Sequence, residues 1–353
     1  MPPIKIAVIG VGLIGPRHAE TVAASPNASL AAIVDLMPTG KALATKLNVP
    51  YYQTVSDLLE SADKPDGAII CTPNHTHVAV GLELARAGVN ILVEKPISID
   101  IESGQELVRT AHEAGVRLLV GHHRRFNSYM LAAKKTLVSG ELGDLIAING
   151  IWSTYKPLDY FDPPTEWRRA KTGGVILINM IHEIDLMHYL FGRITRVYAE
   201  PIPSRRGFDA DEGAAITLRF ESGAVGSFLL SDNTPSPHNF EAGTGENPLI
   251  PKVGEDFYRI FGSNASFSIP DMTVWSYGSD ATKSWHSPMS KEQIKVDAIT
   301  PFVSQLEHFV AVIQGIEEPS CSGADGLSAL IVCEALKKSL ETGAPVTIEF
   351  PKI

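Results

Sequence analysis

I-K-I-A-V-I-G-V-G-L-I-G, residues 4–15, joins a short apolar run to three glycines at the spacing G-x-G-x-x-G. The run is rich in β-branched residues and is typical of a strand buried on both faces of a parallel sheet. In the turn that follows, Gly10 permits a tight bend, Gly12 lets bare backbone approach a pyrophosphate, and Gly15 lets the next helix pack close to the strand. The stretch therefore predicts a strand, a phosphate-binding turn and a helix whose amino end faces the phosphates.

A second apolar run, residues 30–34, ends in Asp35, which lies 20 residues after Gly15. An acidic side chain at this position hydrogen-bonds the ribose hydroxyls of a bound dinucleotide. A carboxylate there repels a 2′-phosphate, and Leu36 is no phosphate-binding residue, so NAD is expected and NADP is the less favoured alternative. An ordinary βαβ turn would explain the glycines but not the acid. We expect no signal peptide, because Arg17 interrupts the apolar pattern at once.

Composition and charge restrict the classes of protein that fit this chain. It has 353 residues, 44% of them hydrophobic and 20% charged, which is typical of a soluble globular protein and long enough for two domains. The formal net charge of −10 argues against a nucleic-acid partner, which requires a clustered basic surface. The longest uncharged run is interrupted by polar residues, so no membrane span is predicted. Three scattered cysteines fit no disulfide framework or zinc site, and we expect a cytoplasmic protein.

The order of predicted elements divides the chain into two domains. Up to about residue 125, short apolar strands alternate with amphipathic helices, which predicts an α/β Rossmann-type, doubly wound parallel sheet. From residue 197 onward strand follows strand, which predicts an α+β domain with a large, open, mostly antiparallel sheet. We assign residues 1–125 to a dinucleotide-binding domain, with the helical region 323–353 packing back on it. Residues 126–322 are assigned to a domain for substrate binding and oligomerisation.

Polar clusters follow several predicted strands of the first domain. The strand G-A-I-I-C leads into T-P-N-H-T-H at residues 72–77, another strand ends in Glu94-Lys95-Pro96, and a third leads into residues 121–127. Because ligands of such sheets bind at the carboxyl ends of strands, we expect these clusters to share one site. Lys95 is the sharpest candidate, since a lysine there would hydrogen-bond the reacting oxygen and accept the hydroxyl proton. The alternative is an ordinary surface lysine at a strand end.

A second candidate for chemistry lies in the apolar helix predicted after Gly173-Gly174. Asn179 and His182 stand three residues apart, a spacing that places both on one face of an α-helix. A histidine on such a helix is usually a core residue, but the polar neighbour on the same face favours a pocket. No metal site is expected, because position 186 is Leu186, where a zinc-protease helix would need a second histidine. A site made of Cys71, His75 and His77 is less economical than a loop that contacts the cofactor.

Motifs along nearly the whole chain resemble those of the glucose-fructose oxidoreductase, inositol 2-dehydrogenase and MocA (Gfo/Idh/MocA) family of NAD(P)-dependent sugar and polyol dehydrogenases. The motifs that carry the resemblance are A-V-I-G-V-G-L-I-G (7–15), C-T-P-N-H-T-H (71–77), V-E-K-P (93–96), G-H-H-R-R-F-N (121–127), E-W-R-R (166–169) and G-G-V-I-L-I-N-M-I-H-E-I-D (173–185). The resemblance implies that Lys95 is catalytic and that His182 relays a proton to the substrate oxygen. It also implies that Trp167 and Arg168 approach the nicotinamide, and that the open sheet forms homodimers or homotetramers.

These considerations define two sets of expected site residues. The residues expected to bind the cofactor are Gly10, Gly12, Leu13, Ile14, Asp35, Cys71, Thr72, Pro73, Asn74, His77, Glu94, Lys95, Trp167 and Arg168. The residues expected to contact the substrate are Lys95, His123, Arg124, Tyr155, Asn179, His182 and His238. Inositol-oxidising members carry an aspartate four residues before the histidine, where this chain has Ile178. We expect Asn179 to take over the substrate contact, since an amide both donates and accepts hydrogen bonds.

The sequence thus predicts an enzyme that transfers a hydride between nicotinamide and a secondary alcohol or ketone of a sugar, sugar acid or cyclic polyol. Lys95 and His182 would form its acid/base pair and converge beside the dinucleotide. Two alternatives stay open. One is a regulatory protein of the same fold that binds NAD and a sugar without turnover, and the other is a reductase of a non-sugar carbonyl or dihydrodiol.

Overall fold

Six parallel strands form the first sheet in the computed structural model, which describes residues 2–278 and 282–351. The strands are β1 Ile4–Ile9, β2 Ala28–Val34, β3 Tyr51–Tyr52, β4 Gly67–Ile70, β5 Asn90–Val93 and β6 Leu118–Val120. Their spatial order is β3-β2-β1-β4-β5-β6, and every neighbouring pair is parallel. The chain thus winds outward from β1 in both directions, which confirms the predicted doubly wound sheet.

The helices between these strands supply the right-handed connections that a parallel sheet needs. They are α1 Gly15–Ala24, α2 Pro38–Leu47, α3 Val55–Glu60, α4 His77–Arg86 and α5 Ile101–Glu113. Thr54 caps α3, and its hydroxyl accepts from the backbone N–H of Asp57 in a capping box. Strand residues Ile6, Val8 and Ile69 are buried in the core of this sheet.

The second sheet has nine strands in the order β14-β13-β12-β11-β7-β10-β9-β8-β15. The strands are β7 Leu145–Ser153, β8 Ile194–Pro201, β9 Gly213–Phe220, β10 Val225–Ser231, β11 Tyr258–Gly262, β12 Ala265–Ile269, β13 Thr273–Ser276, β14 Ser290–Gln293 and β15 Val346–Thr347. All neighbouring pairs are antiparallel except β7 and β10, which confirms the predicted, mostly antiparallel sheet. The helices that accompany it are α6 Ser128–Val138, α7 Ile181–Phe191 and α8 Phe240–Thr244.

Two further helices, α9 Pro301–Ile313 and α10 Gly323–Thr342, precede the last strand, β15. By backbone contacts, residues 1–126, 299–330 and 351–353 form one unit, and residues 127–298 and 331–350 form the other. In the first unit α9 packs on the sheet, where a Cβ on Gly67 would come within 2.7 Å of Ile313. The assignment of the whole region 323–353 to the first domain stays a prediction.

Local structure adds details that the sequence patterns do not define. The segment after residue 231 ends in the short helix α8, β15 is only two residues long, and all four residues of β14 are exposed. The helix predicted after Gly174 begins as a π-helical turn, Ile176–Met180, before it becomes α7. A π-turn is wider than an α-turn, so the three-residue spacing of Asn179 and His182 does not by itself put them on one face.

Candidate functional site

The carboxyl ends of four parallel strands form one edge of the first sheet. The last residues of β1, β4, β5 and β6 pair with one another in register. The residue after each strand therefore lies on this edge, and these residues are Gly10, Cys71, Glu94 and Gly121. Backbone hydrogen bonds continue the ladder, since the N–H of Cys71 donates to Ile9 and the N–H of Glu94 donates to Ile70. The glycine turn and the segment of Lys95 thus meet at one edge, as predicted.

The three glycines of the turn meet different surroundings. Gly10 has a φ of +84°, and a Cβ there would lie 2.8 Å from the N of Thr72. A Cβ on Gly15 would lie 2.1 Å from the carbonyl oxygen of Gly10, so the turn requires glycine at both positions. At Gly12 no described atom comes within 4 Å of such a Cβ. Gly12 is therefore the position where bare backbone faces open space, as the pyrophosphate of a dinucleotide requires.

Asp35 follows β2 and fits the ribose of NAD. Its Oδ2 accepts from the backbone N–H of Val11 at 2.6 Å, and its Oδ1 accepts from the N–H of Met37 at 2.6 Å. Each carboxylate oxygen has a second lone pair with which to accept from a hydroxyl. The neighbouring Leu36 is 76% exposed and offers a 2′-phosphate no cation. The carboxylate thus braces the glycine turn, and its contact with the ribose of NAD stays a prediction.

The loop after β4 is organised by His77. Asn74 and His75 are exposed, whereas His77 is only 1% exposed at the start of α4. Its Nδ1 lies 2.8 Å from the carbonyl oxygen of Pro96, and its Nε2 lies 2.8 Å from that of Thr72. Burial lowers the pKa of His77, although the two carbonyl contacts act in the opposite direction. His77 therefore joins the loop after β4 to the segment that contains Lys95, and its ring nitrogens face protein backbone.

Glu94 is a buried carboxylate next to Lys95. Its Oε1 lies 3.0 Å from Nε2 of His18, and its Oε2 accepts from the backbone N–H of Lys95 at 3.2 Å. Burial alone would raise the pKa of Glu94, but the hydrogen bond from His18 and the charges of His18, His123 and Lys95 lower it to about 2. The carboxylate is therefore ionised throughout the physiological range and fixes the backbone from which the Lys95 side chain extends.

Other predicted residues of the first unit surround this edge in different ways. Leu13 is 91% exposed at the tip of the glycine turn. His123 stacks on Phe302 with ring centroids 4.7 Å apart, while Arg124 is buried. Burial and the charge of Glu94 raise the pKa of the Cys71 thiol, so it stays protonated at neutral pH.

The second unit holds His182 and Asn179. His182 is 7% exposed in the first turn of α7. Asn179 lies in the preceding π-turn, and its Oδ1 accepts from the Nζ of Lys156 at 2.6 Å. Lys156 is buried, and its Nζ also lies 3.3 Å from Oδ2 of Asp232. Burial lowers the pKa of Lys156, whereas the charge of Asp232 acts in the opposite direction.

The remaining predicted residues of the second unit lie in less buried places. Tyr155 is 55% exposed and Trp167 is 48% exposed. The guanidinium of Arg168 lies 3.9 Å from the ring centroid of Tyr160 and donates to its carbonyl oxygen at 3.0 Å. His238 directs Nδ1 to the carbonyl oxygen of Asp256 at 2.9 Å. The roles of these residues stay predictions.

Sequence reasoning missed Lys156 and chose its neighbour Tyr155. The sequence signal for Lys156 was the alternation of side chains between the two faces of β7, in which Ile148 and Trp152 point inward. Continuing this two-residue period past the strand puts Lys156 on the buried side and Tyr155 on the exposed side. His18 was missed as well, because nothing in α1 indicates that its ring reaches a carboxylate 76 residues away.

The described residues, 2–278 and 282–351, contain no cluster of three or more His, Cys, Asp or Glu side chains with the geometry to hold a metal ion. Within the same ranges, every helix is too short or too polar to cross a bilayer.

Comparison with known proteins identifies the family. The family model described as "Oxidoreductase family, NAD-binding Rossmann fold" matches residues 4–122, and the model of its C-terminal alpha/beta domain matches residues 134–348. A myo-inositol 2-dehydrogenase of Thermotoga maritima is 27% identical over 98% of this chain and 99% of its own. An inositol 2-dehydrogenase of Rhizobium meliloti is 23% identical over 98% of this chain and 99% of its own.

Solved structures share the fold at lower identity. An oxidoreductase from Agrobacterium radiobacter, solved with NAD+, L-tartaric acid and magnesium, superposes with a TM-score of 0.82 at 19% identity over 98% of both chains. The WlbA dehydrogenase from Bordetella pertussis, solved with NADH and UDP-GlcNAcA, gives a TM-score of 0.77 at 22% identity over 99% of this chain and 100% of its own. With both of its domains matched in order, the chain belongs to the Gfo/Idh/MocA family of oxidoreductases and carries that family's NAD-binding Rossmann domain.

Proposed function

We propose that this protein is an NAD-dependent dehydrogenase of a secondary alcohol in a sugar, sugar acid or cyclic polyol, with Lys95 and His182 as its acid/base pair. The observation that carries the proposal is the shared edge of the first sheet, where the glycine turn follows β1 and the segment of Lys95 follows β5, with only β4 between the two strands. The inositol dehydrogenases among the full-length relatives support a polyhydroxylated substrate. When bound, NAD supplies the hydride acceptor.

The chain's own groups would then manage the proton. The carboxylate of Glu94 accepts a hydrogen bond from the backbone N–H of Lys95. This contact fixes the backbone from which the Lys95 side chain extends. A lysine is a suitable group to hydrogen-bond the reacting oxygen and to take its proton. His182, buried in the first turn of α7, is the second group able to exchange a proton near neutral pH.

Steady-state kinetics with a panel of sugars, sugar acids and polyols tests the proposal through NADH absorbance. We expect turnover with at least one class of compound. We also expect losses of roughly 10²- to 10⁴-fold in kcat for Lys95→Met and His182→Asn, because each removes a proton-transfer group. Lys41→Met, an exposed lysine on α2, is the matched control and should keep full activity.

The same panel separates the two alternative functions. A regulatory protein would bind NAD and sugar without turnover, and Lys95→Met would leave sugar binding unchanged. A reductase of a non-sugar carbonyl would prefer apolar ketones to hydroxylated ones. The buried polar network around Lys156 and Asn179 favours a substrate with hydroxyl groups over an apolar one.

We also propose that the protein forms homo-oligomers through the outer face of the second sheet. In register across five strands, one row on that face consists of Val225, Ala147, Phe261, Ser266 and Trp275. Val225, Phe261 and Trp275 are 41–43% exposed. A row of exposed apolar side chains is typical of a protein interface. Light scattering after size exclusion should show a dimer or tetramer that Phe261→Glu dissociates and Lys135→Glu, on α6, does not.

We also propose a cytoplasmic location, because the three cysteines, Cys71, Cys321 and Cys333, are too few and too scattered in the sequence for a disulfide framework.

A further inference from the structure

The buried ammonium of Lys156 is held by an amide and a carboxylate within the second unit. Its Nζ donates to Oδ1 of Asn179 at 2.6 Å and lies 3.3 Å from Oδ2 of Asp232. The rings of Trp152 and Tyr160 flank it, with centroids 5.5 Å and 4.8 Å from Nζ. A long side chain in such surroundings has lost most of its rotamer freedom, so its position is well defined.

A second ion pair holds the carboxylate of Asp232 in place. Oδ1 of Asp232 accepts from a guanidinium nitrogen of Arg206 at 2.7 Å, and the same nitrogen lies 3.8 Å from Oε2 of Glu212. Glu212 in turn accepts from the side chain of Asn233 at 2.7 Å. The positive charges of Lys156 and Arg206 balance the negative charges of Asp232 and Glu212. The network therefore has little net charge with which to attract an anion.

The chemistry of lysine decides which way the Asn179 amide faces. An ammonium has three donors and no acceptor, so the Asn179 atom that it contacts must be the oxygen. The orientation of the amide therefore follows from its partner and does not depend on telling nitrogen from oxygen by position. The Nδ2 amino group stands on the edge of the amide away from Lys156, here called the outward edge. This edge only donates hydrogen bonds.

We propose that Lys156 is a positioning residue that turns Asn179 into a fixed hydrogen-bond donor for the substrate. The substrate group at Asn179 then carries an oxygen that accepts a hydrogen bond: a carbonyl, a carboxylate or a hydroxyl through its lone pair. This inference rests on the proposed function and on the expectation from the sequence that Asn179 contacts the substrate. It adds the reason why a neutral amide suffices there and assigns a task to a lysine that lies outside the acid/base pair.

Asn179→Asp is the most direct test of the donor edge. Aspartate has the shape of asparagine and keeps an oxygen toward Lys156, so the fold is preserved and the pairing with Lys156 becomes ionic. Its outward edge, however, accepts where asparagine donates. We expect kcat/KM to fall roughly 10- to 100-fold, and to fall similarly in Asn179→Ala, because a hydrogen bond to the substrate is lost and in Asn179→Asp a carboxylate oxygen faces the substrate oxygen instead. Wild-type kcat/KM in Asn179→Asp would overturn the proposal.

A double-mutant cycle tests whether Lys156 acts through Asn179. We expect Lys156→Met to lower kcat/KM roughly 10-fold alone and to add nothing in the Asn179→Ala background, with Lys156→Arg restoring part of the loss. Lys135→Met, an exposed lysine on α6, is the control. Additive losses in the double variant would show that Lys156 acts on the substrate or on the fold by another route, and would overturn the inference.

A measurement that needs no turnover separates this inference from the proposed function. In ¹H–¹⁵N spectra, the side-chain amide signals of Asn179 are those that Asn179→Ala removes. We expect Lys156→Met to move these signals and Lys135→Met to leave them in place. If the wild type turns over nothing on the panel and the signals still move, the proposed function fails while the Lys156–Asn179 contact stands. If the signals stay unchanged in Lys156→Met, the positioning role fails.

Discussion

Nε2 of His18 lies 3.0 Å from Oε1 of Glu94, which ties the helix after the glycine turn to the residue before Lys95. The two residues are 76 positions apart, and both are buried. The contact connects the part of the sheet edge that is predicted to bind phosphates with the part that carries the candidate base. Parallel neighbouring strands are separated by long connections in the sequence. No local sequence pattern therefore predicts the contact between His18 and Glu94.

The ionised Glu94 should make the stability of the protein depend on acid pH. Its pKa is about 2 in the folded protein, below the usual value of 4.5. A lowered pKa gives stability that is present above pH 4.5 and is lost as the pH falls toward 2. The shift corresponds to about 3 kcal/mol in the free energy of unfolding. In urea unfolding between pH 2 and 7, Glu94→Gln should lack this acid-dependent loss.

The exposed Glu60, at the end of α3, provides the control for that experiment. Glu60→Gln should follow the wild-type pH profile. Parallel profiles for the wild type and Glu94→Gln would mean that Glu94 gains nothing from His18 in the folded state.

Alanine substitutions at Gly12 and Gly15 should separate the binding of NAD from folding. A Cβ at Gly15 meets the backbone oxygen of Gly10 at 2.1 Å, so Gly15→Ala should cost about 1–3 kcal/mol of stability. At Gly12 a Cβ meets no described atom within 4 Å, so Gly12→Ala should stay within about 0.5 kcal/mol of the wild type. The added methyl group would nevertheless stand where the pyrophosphate approaches, and NADH affinity should fall at least 10-fold.

Thermal unfolding and NADH fluorescence titration of the same two variants check this prediction. Normal NADH affinity in Gly12→Ala would show that the backbone at this turn does not approach the cofactor. An undiminished melting temperature in Gly15→Ala would contradict the close packing of α1 on the turn.

His77 and His75 allow a matched comparison within one loop. His77 contacts the carbonyl oxygens of Thr72 and Pro96, whereas His75 is exposed two residues earlier. We expect His77→Ala to weaken NAD binding and to lower kcat together, because it releases both the loop after β4 and the Lys95 segment. His75→Ala should behave as wild type in the same kinetic assay. Equal kinetics for the two variants would exclude this connecting role for His77.

Sequence patterns were sufficient for the fold because the elements that define it are local. The glycine turn and the buried strands of the first sheet depend on residues close in the chain, and they lie where predicted. The carboxyl-edge rule then placed the segments of Gly10, Cys71 and Glu94 together without any knowledge of their contacts. The sequence did not indicate where the helical spacing becomes irregular, as at the π-turn that contains Asn179.

The unpredicted part of the candidate site consists of long-range polar pairs. His18 meets Glu94, and Lys156 meets Asp232, across 76 positions in both pairs. Such pairs depend on how strands are ordered in a sheet, which periodicity does not encode. A lysine is also expected at the surface, so nothing marked Lys156 as buried except the alternation of β7.

Coenzyme choice should respond to Asp35 and Leu36 together. The Asp35 carboxylate repels a 2′-phosphate and would accept from the ribose hydroxyls of NAD, while the exposed Leu36 offers no charge. We expect Asp35→Ser to weaken NAD binding roughly 10- to 100-fold. Serine keeps a side-chain oxygen that can accept a hydrogen bond beside the backbone N–H groups that Asp35 now braces. Adding Leu36→Arg should then bring NADP to equal or better kcat/KM than NAD.

The single variant Leu36→Arg is the informative control for this pair. It supplies the cation but keeps the carboxylate that accepts from Val11 and Met37 at 2.6 Å. If repulsion by Asp35 decides the preference, Leu36→Arg alone should leave NAD ahead, and the two substitutions should act cooperatively on the ratio of kcat/KM values. A full switch by Leu36→Arg alone would mean that the missing cation, rather than the carboxylate, excludes NADP. In that case the bracing of the glycine turn, not coenzyme discrimination, would be the main task of Asp35.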